Sequence, residues 1–177
     1  MQQIWIVSIL ENKPYKEVKK IWKFIEKEYS SSGVQLFKHP HMTFQGGKTK
    51  NPGQVYKDFK DVVSKIKPFW IEVCGVRHFN KEAIWLKVEK TENMIKLIEL
   101  INDFMKEHCR DLFGCYAPEK WIPHITLAMG DLTEDNFEKA WKELKKQKIG
   151  FKQKLHNICI VRQYPDGKIK IAKRYKL

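Results

Sequence analysis

The sequence predicts an α+β fold: a pseudo-two-fold, duplicated, bilobal arrangement in which two antiparallel-type sheets line a central cleft and helices cover their outer faces. Three observations carry this expectation. A short pattern occurs twice, as Pro40-His41-Met42-Thr43-Phe44 and Pro123-His124-Ile125-Thr126-Leu127. The segments around each copy follow one order: strand, helix, His-x-Thr strand, helix, strand. Identity between the halves is low, so what repeats is the pattern and not the letters. At 177 residues the chain is long enough to bury a full core. We read one domain over 1–177, with pseudo-repeats at about 1–80 and 81–177.

The elements follow from local chemistry. Residues 3–10 are apolar and β-branched and read as a strand. Pro14 opens a helix, where its missing N–H costs little, and Val18, Ile21, Trp22, Ile25 and Tyr29 form one stripe. The first His-x-Thr strand is expected at 41–45, closed by Gly46-Gly47. A helix after Pro52-Gly53 carries Val55, Phe59, Val62, Val63 and Ile66 on one face. Strands at about 69–78 and 82–90 make a hairpin around Asn80. Thr91 caps a long helix with Met94, Leu97, Ile98, Ile101, Phe104, Met105 and Leu112 inward, ended by Gly114. The second His-x-Thr strand occupies 124–129. Thr133 caps a helix whose stripe is Phe137, Ala140, Trp141 and Leu144. Strands at about 153–163 and 168–175, joined by Tyr164-Pro165-Asp166-Gly167, finish the chain.

The bulk numbers bound the class. Apolar residues make up 42% and charged residues 31%, as in globular proteins. No apolar run reaches the length of a membrane span, and the N-terminus lacks the pattern of a secretory signal. The expectation is a cytoplasmic monomer with no membrane partner. Cys74, Cys109, Cys115 and Cys159 are scattered without a Cys-x-x-Cys pair, which argues against structural zinc and against a disulfide framework. The net charge is +13, an excess that attracts polyanions such as nucleic-acid phosphates. Much of it falls on outward helix faces (Lys16, Lys19, Lys20, Lys142, Lys145, Lys146), so charge alone identifies no substrate.

The repeated motif carries the chemistry. A strand alternates its side chains between two faces. His41 and Thr43 then point one way while Met42 and Phe44 point the other; His124 and Thr126 oppose Ile125 and Leu127 in the same manner. Two such strands set side by side would converge two imidazoles and two hydroxyls on one cleft. One imidazole can take a proton from an attacking oxygen while the other gives one to a leaving oxygen. The hydroxyls can donate to non-bridging phosphoryl oxygens. His41, Thr43, His124 and Thr126 are therefore the candidate catalytic residues. A catalytic zinc site would need a third protein ligand, and no acidic residue recurs beside the motifs (Asp131 has no counterpart in the first half). No metal and no cofactor are expected. His78, His108 and His156 have no repeated context and read as structural; His39 reads as a loop residue.

These motifs, about eighty residues apart in a duplicated chain of this length, resemble the 2H phosphoesterase superfamily, and especially its branch of 2′-5′ RNA ligases and RNA 2′,3′-cyclic phosphodiesterases. The resemblance spans essentially the whole chain. It implies a metal-independent enzyme acting on RNA ends or cyclic-phosphate nucleotides, opening a 2′,3′-cyclic phosphate to a 2′-phosphate, with reversible 2′-5′ ligation as the reverse direction. It implies that His124 activates water and His41 protonates the leaving oxygen, though the pseudo-symmetry allows either. Phe79, Trp85 and Trp121 are candidates to stack on a base, with core packing the alternative for Trp85. Arg77 and Lys48 are candidates to reach phosphates. Two other classes stay open: an RNA- or cyclic-nucleotide-binding module without turnover, and a phosphodiesterase of a small nucleotide such as an ADP-ribose cyclic phosphate or a 2′-5′ oligoadenylate. An open basic groove beyond the His/Thr face would favour RNA over a metabolite.

Overall fold

The computed structural model describes all 177 residues. Its elements are β1 (Gln2–Ile9), α1 (Asn12–Tyr29), β2 (His41–Thr49), α2 (Pro52–Ser64), β3 (Phe69–Phe79), β4 (Ala83–Val88), α3 (Glu92–His108), β5 (His124–Met129), α4 (Glu134–Leu144), β6 (Gly150–Leu155), β7 (Asn157–Gln163) and β8 (Ile169–Lys176). Short 3₁₀ turns at Gly33–Leu36 and Gly114–Tyr116 precede the two motif strands.

The fold is α+β, and the two expected sheets are halves of one. All eight strands form a single antiparallel sheet in the order β6-β3-β4-β5-β2-β1-β7-β8. The halves meet at one residue pair, Met42 opposite Ile125, where β2 lies against β5. A seam of one pair lets the sheet curl sharply. The order is symmetric about that seam: β4 flanks β5 as β1 flanks β2, and α1 packs on β5 while α3 packs on β2. The sheet halves are not the sequence halves. β3 comes from the first half of the chain yet pairs with β4, and β7 comes from the second half yet pairs with β1.

The motif strands bury their oily faces as the alternation requires. Met42, Phe44, Ile125 and Leu127 are each at most 1% exposed and join the main core with Trp22, Ile25, Phe59, Ile98, Ile101 and Phe137. Thr91 and Thr133 cap their helices through the N–H groups of Met94 and Asn136. The Asp166-Gly167 turn closes with Gly167 at φ +78°. No helix is long and apolar enough to cross a membrane. All four cysteines are free thiols.

Three local expectations are corrected. Gly46-Gly47 does not end the first motif strand, which runs on to Thr49. The glycines instead admit the segment after α3. A Cβ on Gly46 would sit 2.7 Å from the Phe113 ring, and one on Gly47 2.7 Å from Leu112 Cδ2. The long helix stops at His108 rather than near Gly114, because Arg110 leaves it to pair with Lys48 through two backbone hydrogen bonds of 2.8 Å. Leu112 thus packs from a loop. Finally, the single strand expected at 153–163 is two strands on opposite halves of the sheet: β6 pairs with β3 and β7 with β1, the chain crossing over at His156. Asn157 fixes the arrival. Its side chain is buried and exchanges hydrogen bonds with the backbone of Ile9, accepting at 3.0 Å and donating at 2.9 Å.

Candidate active site

His41, Thr43, His124 and Thr126 line one cavity of about 210 Å³ at the seam between β2 and β5. Val7, Phe37 and Val161 wall it on the β1/β7 side, and Tyr116 and Met129 on the other. No carboxylate lines it.

The two motifs are held by the same devices. Each histidine points Nδ1 at a carbonyl two residues back, across the proline: His41 to His39 O and His124 to Ile122 O, both at 2.7 Å. A carbonyl only accepts, so each Nδ1 carries the proton and each Nε2 is left with its lone pair free. The proline bends the chain so that this carbonyl faces the ring, and its own carbonyl is tied down as well. Pro40 O accepts from Leu10 N at 2.9 Å and Pro123 O from Val88 N at 3.2 Å, each at the end of the neighbouring strand. A phenylalanine ring meets each imidazole edge to face: Phe37 on His41 at 5.0 Å between centroids and Phe79 on His124 at 5.2 Å.

The threonines are anchored through their backbones. Trp22 Nε1 donates to Thr126 O at 3.0 Å, and Trp121 Nε1 donates to Thr43 O at 2.9 Å. A one-pair seam leaves motif carbonyls short of ladder partners, and buried carbonyls demand donors. The two indoles reach equivalent atoms from unrelated places, one from α1 and the other from the loop before β5.

Burial sets the charge state. It drives His41 down to about 4, with the nearby His124 adding to the effect and the His39 carbonyl opposing it. Burial also lowers His124, against its bond to the Ile122 carbonyl. Both imidazoles are therefore neutral at pH 7 in the free protein. An anion entering the cavity favours their protonated forms.

Beyond the apolar walls, one cleft residue with a hydroxyl escaped the sequence reading. Tyr116 lines the His/Thr cavity and also a second one of about 430 Å³ on the β4 side, which shares His124, Thr126 and Met129 with the first. Its phenol neighbours the Thr43 side chain, and burial holds it above its ordinary value, so it is a protonated donor. A buried polar chain positions it. Gln45 Nε2 donates to Tyr116 O (3.4 Å) and to Asn102 Oδ1 (3.1 Å), while Gln45 Oε1 accepts from Gly46 N (2.9 Å). The nearby Gly46-Gly47 pair was the available sequence signal, because it marks a close backbone approach.

The remaining candidates divide. Phe79 lines the second cavity and stacks on Trp85 at 4.5 Å. Trp85 is buried but joins neither hydrophobic core; its ring lies 5.6 Å from that of His124, beside Phe79. Trp121 is only 2% exposed with its indole committed to Thr43. Lys48 is paired with Asp111 and Arg77 bonds the Val76 carbonyl, and neither lines the His/Thr cavity or the one beside it. Asp131 ties the turn before β2 to the end of β5, accepting from Ser31 Oγ, Ser32 N and Gly33 N at 2.5–2.7 Å. His39 stays in its loop, bonded to the Tyr15 hydroxyl. No group of three or more His, Cys, Asp or Glu side chains is arranged to hold a metal ion.

Known proteins match this chain in fold more than in letters. A family model described as the 2′-5′ RNA ligase superfamily matches residues 13–167. No curated protein matches by sequence. Among solved structures, TT0787 of Thermus thermophilus superposes with a TM-score of 0.70 at 15% identity, covering 100% of this chain and 98% of that one. E. coli LigT complexed with 3′-AMP gives 0.63 at 13% identity, covering 99% and 97%. The MHV ns2 PDE domain gives 0.56 at 16% identity, covering 97% of each chain.

Proposed function

The chain belongs to the 2′-5′ RNA ligase superfamily of two-histidine phosphoesterases, and from that membership we propose that it hydrolyses 2′,3′-cyclic phosphate ends of RNA or nucleotides to 2′-phosphates without a metal. One observation carries the reading: two imidazoles with protonated Nδ1 and free Nε2 share one cavity with two threonines. That is a base, an acid and donors for the equatorial oxygens of an in-line displacement at phosphorus.

In this mechanism a water oxygen forms the new bond to phosphorus and the bond from phosphorus to O3′ breaks. One Nε2 takes the proton of the water. The other histidine, protonated as the anionic phosphodiester enters, gives its Nε2 proton to O3′. Each proton transfer contributes on the order of 10²–10⁴-fold. Thr43, Thr126 and Tyr116 donate to the non-bridging oxygens. The same displacement with a 5′-hydroxyl in place of water forms a bond from phosphorus to O5′, breaks the bond to O3′ and joins two ends by a 2′-5′ linkage; its reversal, attack by O3′, releases the 5′-hydroxyl and restores the cyclic phosphate. LigT, which shares the fold, is solved with 3′-AMP, in keeping with a nucleotide in the cleft.

The test is an RNA oligonucleotide ending in a 2′,3′-cyclic phosphate, incubated in excess EDTA with wild type and with the folded His41→Ala/His124→Ala double variant. We expect a 2′-phosphate product from wild type alone. No turnover by wild type, or equal turnover by the double variant, overturns the reading.

A further inference from the structure

A groove of about 650 Å³ adjoins the His/Thr cavity, and the two share Leu36, Phe37 and Ile169 as common walls. It runs between the turn before β2 and the β7–β8 hairpin. Its rim gathers Lys38, Lys168 and Lys170, all exposed. The one carboxylate there, Asp166, is occupied by Lys168, through Nζ at 2.9 Å and the backbone N–H at 3.1 Å. Lys38 and Lys170 have no ion-pair partner. The floor is apolar, made by Leu36, Phe37, Ile169 and Ile171, and Leu36 is 74% exposed on it. The cavity beyond Tyr116 differs, with a single lysine, Lys120, balanced by Glu82.

A positive rim over an apolar floor is the make-up of a single-strand track: cations follow the phosphates while bases lie on apolar side chains. A lone nucleotide at the histidines would leave this groove unused. The 3′ position of a cyclic-phosphate end allows the chain only one continuation, toward its 5′ side. We propose that this groove binds the nucleotides immediately 5′ of the reacting phosphate, making the substrate a single-stranded RNA of several nucleotides rather than a free nucleotide. The inference rests on the function proposed above and deepens it.

Two triple variants test it. Lys38→Ala/Lys168→Ala/Lys170→Ala strips the groove. Lys57→Ala/Lys60→Ala/Lys96→Ala removes equal charge from exposed positions on α2 and α3. Binding is read by anisotropy of a labelled RNA hexamer ending in a 3′-phosphate, across a salt series. Turnover is read on a cyclic-phosphate-ended hexamer and on 2′,3′-cyclic AMP. The groove variant is expected to bind the hexamer at least about tenfold more weakly and to lose about 2 from the slope of log K against log salt. Its kcat/KM should fall on the hexamer and hold on cyclic AMP, while the control variant stays near wild type. Equal losses in both variants, or an equal loss on both substrates, would overturn the track. If wild type turns over neither cyclic substrate while lysine-dependent binding persists, the track stands and the proposed reaction fails.

Discussion

Trp121 donates its indole N–H to the backbone carbonyl of Thr43 across 2.9 Å, from a position just ahead of the other motif. Each half of the site is thus braced by the other's surroundings, since Trp22 of α1 holds Thr126 in the same way. Trp121→Phe keeps an aromatic ring in the core and removes the donor. A carbonyl left buried without a partner costs about 1–3 kcal/mol, so urea denaturation should show a loss of that size. Turnover of the folded variant should also fall, with kcat reduced more than KM is raised, because the Thr43 backbone is released. Unchanged kcat would confine the indole to a packing role.

The half-buried histidines make stability depend on pH. An imidazole in the unfolded chain titrates near 6.5, whereas His41 in the fold is held to about 4 by burial. The unfolded chain therefore binds the proton more tightly. The contribution is whole above pH 6.5 and is lost as pH falls from 6.5 toward 4. Tm should decline across that window, and His41→Gln, uncharged throughout, should decline less steeply. His39 and His124, both lowered chiefly by burial, leave some slope in the variant. Identical slopes would mean that His41 is not the desolvated group.

Tyr116→Phe removes one hydroxyl and leaves the ring against Phe113, whose centroid lies 6.4 Å away. If the phenol donates to a charged phosphoryl oxygen, its loss costs about 1.5–3 kcal/mol of transition-state stabilisation, roughly ten- to a hundredfold in kcat. Thermal stability should hardly move. A wild-type rate in the variant would place the hydroxyl outside the chemistry.

The site was legible in the sequence where its chemistry is local. Period-two alternation set the inward and outward faces of β2 and β5, and a proline before each histidine marked the repeat. Helix stripes announced themselves through apolar spacing, and threonine caps marked the starts of α3 and α4. What escaped depends on partners far along the chain. Nothing near residue 156 tells a reader that the strand changes sheet halves there, because the decisive contact is Asn157 with Ile9. Gly46-Gly47 looks like a strand stop, since the Phe113 and Leu112 side chains that need the space come more than sixty residues later. Tyr116 had no motif around it; its place comes from Gln45 and Asn102, on two other elements.

The two histidines are held alike, so their division of labour has to be read from the leaving group. A ribose oxygen departs poorly unless protonated, whereas a p-nitrophenolate departs without help. A variant lacking the general acid should therefore recover on a p-nitrophenyl phosphodiester of a nucleoside, and one lacking the base should not. With His41 as acid, the division that the family resemblance implies, His41→Ala should lose far less on the aryl ester than on a cyclic phosphate, by on the order of 10²-fold. His124→Ala should lose equally on both. The opposite pattern would exchange the roles. The strongly depressed His41 makes this a sharp test, because an imidazole that resists protonation in the free protein can serve as the acid only when the substrate's own negative charge brings the proton in.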